Sequence, residues 1–151
     1  MKITGKNSLS NVIKIGLQIV FILGLGIMAF LPFLLKVYTA YINPFLKYLP
    51  TLMLLYASGV PALVIVNRFI HIFDTLKLST PFIKKNVIDL KTISICSLII
   101  AIEYVIGLII IKSIFAMVVI GVFVIAWLGL YILSELLKQA IEYKEENDLT
   151  I

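Results

Sequence analysis

The chain has 151 residues, of which 62% are apolar and 14% charged, and its formal net charge is +5. An average soluble domain is about half apolar and about a quarter charged, and a domain of this size leaves roughly 30% of its chain surface exposed to water. The composition therefore excludes a soluble globular domain, a disordered chain and, with one cysteine, a disulfide scaffold. The class that remains is an integral membrane protein.

Four apolar stretches are long enough to cross a bilayer, since about 20 helical residues span a hydrocarbon core of roughly 30 Å. They cover about residues 13–35, 48–67, 92–111 and 113–134. The alternating segments of about 10 residues that build β-barrels do not occur in the sequence. The sequence therefore predicts an all-α, polytopic membrane protein with one domain of four transmembrane helices.

The positive charges predict how these helices are oriented. Ten of the 13 lysines and arginines lie before the first span, between the second and third, or after the fourth. Cytoplasmic segments carry such an excess, so both termini are expected in the cytoplasm, with the chain in the cytoplasmic (plasma) membrane as a multi-pass protein. The lysines are scattered along membrane edges, so the sequence predicts the lipid bilayer as a partner and no direct nucleic-acid contact.

The cytoplasmic segment 68–91 is expected to extend the second helix and then start a new one. Thr80 is suited to cap that new helix and Pro81 to occupy its first position. Apolar Ile83, Val87 and Leu90 recur on one face, which predicts an amphipathic helix that continues into the third span.

The fourth helix is expected to overrun the bilayer as a cytoplasmic helical tail over residues 135–151. The tail keeps an apolar stripe through Leu137 and Ile141 and ends in acidic residues, whereas segment 68–91 is rich in lysine. Two interpretations remain open at this stage. The tail pairs with the basic segment, or the two together bind a partner.

The sequence carries no arrangement typical of an enzyme. It has no nucleophile with a neighbouring base and acid, no glycine-rich phosphate loop and no spacing of metal ligands, so we expect no catalytic residues, metal or cofactor. His71 and Asp74 are read as a solvated or hydrogen-bonded pair, because such an i, i+3 pair alone is a poor metal site. Cys96 is read as a small apolar filler.

Glu103 interrupts the third span near its middle. An ionised carboxylate at that depth costs several kcal/mol, so Glu103 is expected to be neutral at pH 7 and to face the interior of the helix bundle. Small neighbours at Cys96 and Gly107 on the same face favour a helix contact there. Two interpretations remain open. Glu103 is a hydrogen-bonding link between helices, or it is a site for a proton, a cation or a hydrophobic ligand.

Two stretches resemble a known bacterial family. Residues 73–91, FDTLKLSTPFIKKNVIDLK, are similar to the central loop of the membrane family called domain of unknown function 2975, although Leu78-Ser79 stands where that family commonly has a lysine-glycine turn. Residues 133–151, LSELLKQAIEYKEENDLTI, are similar to its C-terminal signature. The resemblance implies a four-helix membrane protein often encoded beside a small Cro/CI-type helix-turn-helix regulator. It assigns no catalytic residues.

The leading hypothesis is a regulatory or sensor membrane component that engages a soluble cytoplasmic partner such as a helix-turn-helix regulator. The alternatives are a small transporter or channel that uses intramembrane Glu103, and an accessory or immunity membrane protein. The candidate partner-binding residues all belong to the two family-like stretches: Pro81, Phe82, Lys84, Lys85, Leu137, Ile141, Glu145, Glu146, Asn147 and Asp148.

Overall fold

The structure is a computed structural model that describes residues 4–77, 82–111 and 114–149, and these residues form four helices. They are α1 (Thr4–Tyr41), α2 (Tyr48–Lys77), α3 (Lys84–Ile111) and α4 (Ile114–Leu149). Each helix is long and apolar enough to cross a membrane. The predicted all-α fold with four transmembrane helices is confirmed.

The helices pack in chain order, α1 on α2, α2 on α3 and α3 on α4. Among the residues that the structure describes, no Cα atom of α1 lies within 8 Å of α3 or α4, and none of α2 lies within 8 Å of α4. Most of the fully buried side chains lie on α3, including Ile93, Ser94, Ser97 and Ile100. Large apolar side chains cover the outer surfaces of α1 and α4, as expected for a protein whose solvent there is lipid.

Hydrogen bonds from tyrosines join α1 to α2 where Pro32 interrupts the α1 hydrogen-bond ladder. Proline has no amide hydrogen, so the carbonyl of Met28, four residues earlier, loses its helical donor. The Tyr56 hydroxyl donates to that carbonyl at 3.1 Å, and the Tyr48 hydroxyl donates to the Pro32 carbonyl at 3.2 Å. These bonds from α2 satisfy a carbonyl that lipid cannot satisfy, and α1 continues through the proline.

Small residues let the helices approach closely. A Cβ added to Gly107 would lie 2.8 Å from Cδ2 of Leu54, so the missing side chain lets Leu54 pack against the α3 backbone. Between α3 and α4, the Ser94 hydroxyl donates to the Trp127 carbonyl at 3.0 Å. Close packing of small residues and hydroxyl bonds are the usual means of joining helices in lipid.

The helix ends differ from the predictions at both ends of α1, which begins at Thr4, and at the start of α3. α1 continues to Tyr41, so the first connection covers residues 42–47, and the amides of Ile42 and Asn43 both donate to the Tyr38 carbonyl. α3 starts at Lys84, because Phe82 and the residue after it are not helical. The predicted start at residue 81 is therefore wrong, while Thr80 and Pro81 themselves lie outside the described residues.

The position of the α3 start follows from its contact with α2. Asn86 is almost fully buried, its side-chain amide donates to the Thr75 hydroxyl at 2.7 Å, and its backbone amide donates to the Ile83 carbonyl at 3.0 Å. From Lys84 the helix continues without a break into the third span, as predicted. α2 also runs past residue 67, to Lys77, as predicted.

Candidate functional site: the charged end of the helices

Ionisable side chains gather where α2 ends, α3 begins and α4 ends, and ion pairs there join each helix to its neighbour in the chain. Lys14 Nζ lies 2.5 Å from Asp74 Oδ1 between α1 and α2, and Arg68 Nη1 lies 3.0 Å from Asp89 Oδ1 between α2 and α3. Two pairs join α3 to α4. We call this region the charged end, and define it by these four pairs: Lys14–Asp74, Arg68–Asp89, Lys91–Glu135 and Lys84–Glu145.

The Arg68–Asp89 pair is the most buried of the four. The Asp89 side chain is 1% exposed and that of Arg68 is 36% exposed. Arg68 Nε and Asp89 Oδ2 are buried and have no hydrogen-bond partner in the described part of the chain. Loss of either side chain would leave the other charge buried without its partner, which is costly. The pair therefore links α2 to α3.

The Lys91–Glu135 pair joins α3 to α4 at 2.6 Å, just beyond the predicted ends of the third and fourth spans. The hydrogen bond from Lys91 holds the pKa of the Glu135 carboxyl below its ordinary value, and the same bond raises the pKa of Lys91. Lys91 Nζ also lies 5.9 Å from the centroid of the Tyr131 ring, which adds a cation–π contact. Both groups are therefore charged at neutral pH.

Four of the predicted partner-binding residues, Lys84, Glu145, Leu137 and Ile141, lie where α3 and α4 meet at the charged end. Lys84 Nζ lies 3.0 Å from Glu145 Oε1, and both side chains are mostly exposed. Ile141 is buried, and Leu137 is half-buried. These contacts are the ones expected if the tail pairs with the basic segment.

The other predicted partner-binding residues lie on the surface where they are described. Phe82 is 52% exposed, and Lys85, Glu146 and Asn147 are exposed as well. Pro81 lies outside the described residues, as does the side chain of Asp148. The charged end therefore presents one apolar ring and several polar groups outward.

A groove of about 280 Å³ lies between α3 and α4 at the charged end. Its floor is apolar, with Val87 and Ile141, and its rim carries charges of both signs. The rim includes Lys138, whose Nζ lies 3.8 Å from Glu142 Oε1. A surface of this kind, apolar in the middle and charged at the edge, has the general anatomy of a protein interface.

Asp74, for which the sequence suggested a pair with His71, makes a longer-range contact. Asp74 binds Lys14 of α1. The described residues contain no group of three His, Cys, Asp or Glu side chains placed to hold a metal. Cys96 is buried, as an apolar filler would be.

Sequence reasoning missed the partners that build the charged end, above all Asp89 and Glu135. The available signal was their position. Each lies within one turn of a predicted membrane edge, and a neighbouring helix carries an opposite charge near the same edge. Pairing them needed the register between helices, which periodicity within one helix does not contain.

Glu103 lies away from the charged end, half-buried on α3. It lines a groove of about 320 Å³ between α2 and α3, whose other walls are apolar. Its Oε2 atom is buried and has no hydrogen-bond partner among the described residues. The same face carries buried Cys96 and Gly107, as predicted.

The amino-acid sequence matches a known family. Residues 19–151 match the family described as "Protein of unknown function (DUF2975)". The chain belongs to this family. The match covers α2, α3, α4 and most of α1, and thus both stretches on which the sequence resemblance rested. The chain has no significant match among curated proteins or solved structures.

Proposed function

We propose that this DUF2975 protein is the membrane component of a regulatory pair, and that its charged end faces the cytoplasm and binds a soluble helix-turn-helix regulator. The observation that carries the proposal is the set of four ion pairs at the charged end. They link all four helices in the region where α4 extends beyond its apolar segment. A surface fixed in this way is suited to recognise a folded partner, since little ordering is needed on binding.

The length of α4 supports a projecting surface. α4 has 36 residues, which corresponds to roughly 54 Å of helix, whereas a hydrocarbon core is about 30 Å thick. The excess lies beyond residue 134, in the part that carries the C-terminal family-like stretch. The proposal therefore places both family-like stretches on the side where a soluble partner is available.

Exposed apolar side chains on this surface support binding rather than simple solvation. Phe82 is 52% exposed and Tyr143 is 69% exposed, and both lie beyond the predicted spans. Covering apolar surface is worth about 25 cal/mol per Å². Phe82 lies two residues before Lys84 and Tyr143 directly follows Glu142, and Lys84 and Glu142 both line the groove between α3 and α4. A partner element on this surface would gain apolar contact and meet the charges at the rim.

The acidic end of α4 suggests how binding would regulate the partner. Helix-turn-helix proteins contact DNA phosphates through basic side chains. Glu142, Glu145 and Glu146 offer those side chains an alternative acidic surface, so binding to the membrane protein would compete with DNA. This step rests on the family's association with Cro/CI-type regulators, which is an argument by analogy.

Site-specific photo-crosslinking in native membranes tests the proposal. A photoreactive phenylalanine analogue replaces Phe82 in one variant and Phe45 in a matched control, because Phe45 is 96% exposed at the opposite end of the molecule. We expect the variant at position 82 to form an adduct with a helix-turn-helix protein, identified by mass spectrometry. The control at position 45 should form none. No such adduct at position 82, or equal adducts at both positions, would contradict the proposal.

The groove at Glu103 favours a second candidate function, a small transporter or channel. The support is the carboxyl group of Glu103, which lines this groove and has one buried oxygen without a hydrogen-bond partner in the described part of the chain. Proton relays in transporters usually combine several such groups, and Glu103 is the one acidic residue within the four predicted spans. Uptake of a labelled cation into vesicles that contain the purified protein, abolished in Glu103→Gln, would favour this candidate over the regulatory one.

A further inference from the structure

We propose that the groove between α2 and α3 binds a lipophilic organic cation, with Glu103 as its counter-ion. The inference does not depend on a regulatory partner, because it concerns a different part of the molecule. Glu103 stands 12 residues along α3 from Lys91 of the charged end, which corresponds to about 18 Å.

The groove lies on the outer surface of the molecule, because three of its lining side chains, Leu49, Met53 and Ile106, are each more than half exposed. Its α2 wall runs from Leu49 to Ala57, which is about 12 Å of helix starting next to the α2 N-terminus. Its α3 wall contains Glu103 and Gly107. A compound in the membrane leaflet at this end of α2 would therefore enter without passing through the protein.

The close approach of Leu54 to Gly107 shapes the groove. A side chain at position 107 would occupy space that Leu54 now fills, as the 2.8 Å distance from an added Cβ to Leu54 Cδ2 shows. On the groove side, Ala57 and Gly107 leave room because their own side chains are small or absent. The resulting volume of about 320 Å³ is at the lower end of the range for small-molecule sites.

The chemistry of the lining selects the charge of the ligand. Among the described residues that line the groove, Glu103 is the one charged side chain, and the others are apolar. Its Oε2 atom has no partner in the described part of the chain. A carboxylate in hydrocarbon is costly without compensation, and a nearby cation compensates it strongly because the surroundings have a low dielectric constant.

Other ligand classes fit this lining less well. A neutral hydrocarbon would gain contact with the apolar walls but would leave the carboxyl group as it is. An anion would find no cationic partner among the described lining residues and would oppose ionisation of Glu103. An alkylammonium compound gains on both counts, since its chain lies along the apolar walls while its head group reaches Glu103.

Equilibrium binding of radiolabelled dodecyltrimethylammonium to the purified full chain tests this inference. The protein is held in micelles of dodecyl maltoside, a neutral detergent, and binding to empty micelles is subtracted. We expect saturable binding of about one cation per chain. Glu103→Gln should weaken it by roughly tenfold or more, because the ion pair is lost while the shape is kept.

Two further variants separate the carboxylate from the shape of the groove and from general charge. Ala57→Phe should also abolish binding, because the exposed alanine is replaced by a ring that fills the groove while Glu103 remains. Glu146→Gln removes an exposed carboxylate at the charged end and should bind the cation as the native chain does. Far-ultraviolet circular dichroism and gel filtration establish that each variant is folded.

Three results would overturn the inference. In the first, Glu103→Gln binds the cation with unchanged affinity. In the second, neutral dodecanol displaces the label as well as the unlabelled cation does, so that the groove accepts any alkyl chain. In the third, phosphatidylethanolamine displaces the label stoichiometrically, which assigns the site to a lipid head group. The photo-crosslinking at position 82 is independent of all three, so each proposal can fail without the other.

Discussion

The charged end and the membrane-embedded part of the molecule join the same helices by different means. At the charged end, long side chains meet as ion pairs such as Arg68–Asp89 and Lys91–Glu135. In the embedded part, hydroxyl groups donate to backbone carbonyls, as Tyr56 does to Met28, and Leu54 packs directly on Gly107. The difference follows from the solvent, since water or head groups can hydrate a charge whereas hydrocarbon cannot.

The ion pairs at the charged end also differ from one another in how deeply their side chains are buried. Asp89 is almost completely buried, whereas Lys84 and Glu145 are mostly exposed. Exposed pairs contribute little because water screens them and flexible side chains must be ordered. The comparison predicts that stability at the charged end is concentrated in the α2–α3 pair.

Replacement of Asp89 by alanine should have the largest effect. It leaves the Arg68 charge partly buried without its partner, and because Arg68 is 36% exposed we expect a loss of about 2–3 kcal/mol, below the range for fully buried pairs. Glu145→Ala, the matched change in the exposed pair, should cost less than about 1 kcal/mol. Unfolding by sodium dodecyl sulfate titration in mixed micelles measures both. Equal losses would mean that burial does not separate the pairs.

A larger side chain at position 107 tests the close packing of the embedded part. Gly107→Val should cost about 1–3 kcal/mol, because its side chain must displace Leu54. Gly121→Val on α4 is the control, since nothing lies within 4 Å of a Cβ added there. The same detergent titration compares the two, and a valine tolerated equally well at both positions would argue against tight α2–α3 contact.

The bond from Tyr56 to the Met28 carbonyl should contribute about 1 kcal/mol, and its value should depend on Pro32. Tyr56→Phe removes the donor in the native chain, where the proline leaves that carbonyl without a helical amide. In a Pro32→Ala background the alanine amide is available, so Tyr56→Phe should be nearly neutral. A double-mutant cycle measures the coupling, and additive effects would show that the hydroxyl does not replace the missing amide.

The smallest expected effect is a pH dependence at the Lys91–Glu135 pair. Because Lys91 holds the pKa of Glu135 below 4.5, its value without the partner, the unfolded chain takes up this proton first as the pH falls. The pair's contribution is therefore complete well above pH 4.5 and declines as the pH falls through the lower pKa of the folded state. Glu135→Gln should flatten this part of the stability profile. An unchanged profile would show that the pair does not couple to folding.

The fold was predictable from the sequence because each helix is encoded by a continuous apolar segment of the chain. Runs of about 20 apolar residues require a bilayer, and the charges at 68–91 and 135–151 mark where the chain leaves it. The helical overruns of α2 and α4 also followed, since their patterns continue past the membrane edge. The start of α3 was predicted wrongly because buried Asn86 and its contact with Thr75 determine it, and that contact joins two helices.

The candidate sites were only partly predictable, for the same reason. Glu103 stood out because a charge within an apolar run has no ordinary explanation. Asp89 did not stand out, because a single aspartate in a basic segment is usually exposed to water. Its burial depends on the packing of α2 against α3, which places Arg68 beside it. The groove at Glu103 depends on which face of α2 meets Gly107, and the sequence of one helix does not contain that rotation.

The orientation of the charged end in the membrane is the central claim, since a cytoplasmic partner can bind only if that end faces the cytoplasm. Cys96 is the one cysteine of the chain, so Cys96→Ser provides a background for single-cysteine labelling. Phe45→Cys and Tyr143→Cys then place an exposed thiol at each end of the molecule. A membrane-impermeant maleimide on intact cells should label position 45 and reach position 143 only after permeabilisation. Labelling of position 143 on intact cells, with position 45 protected, would contradict the account.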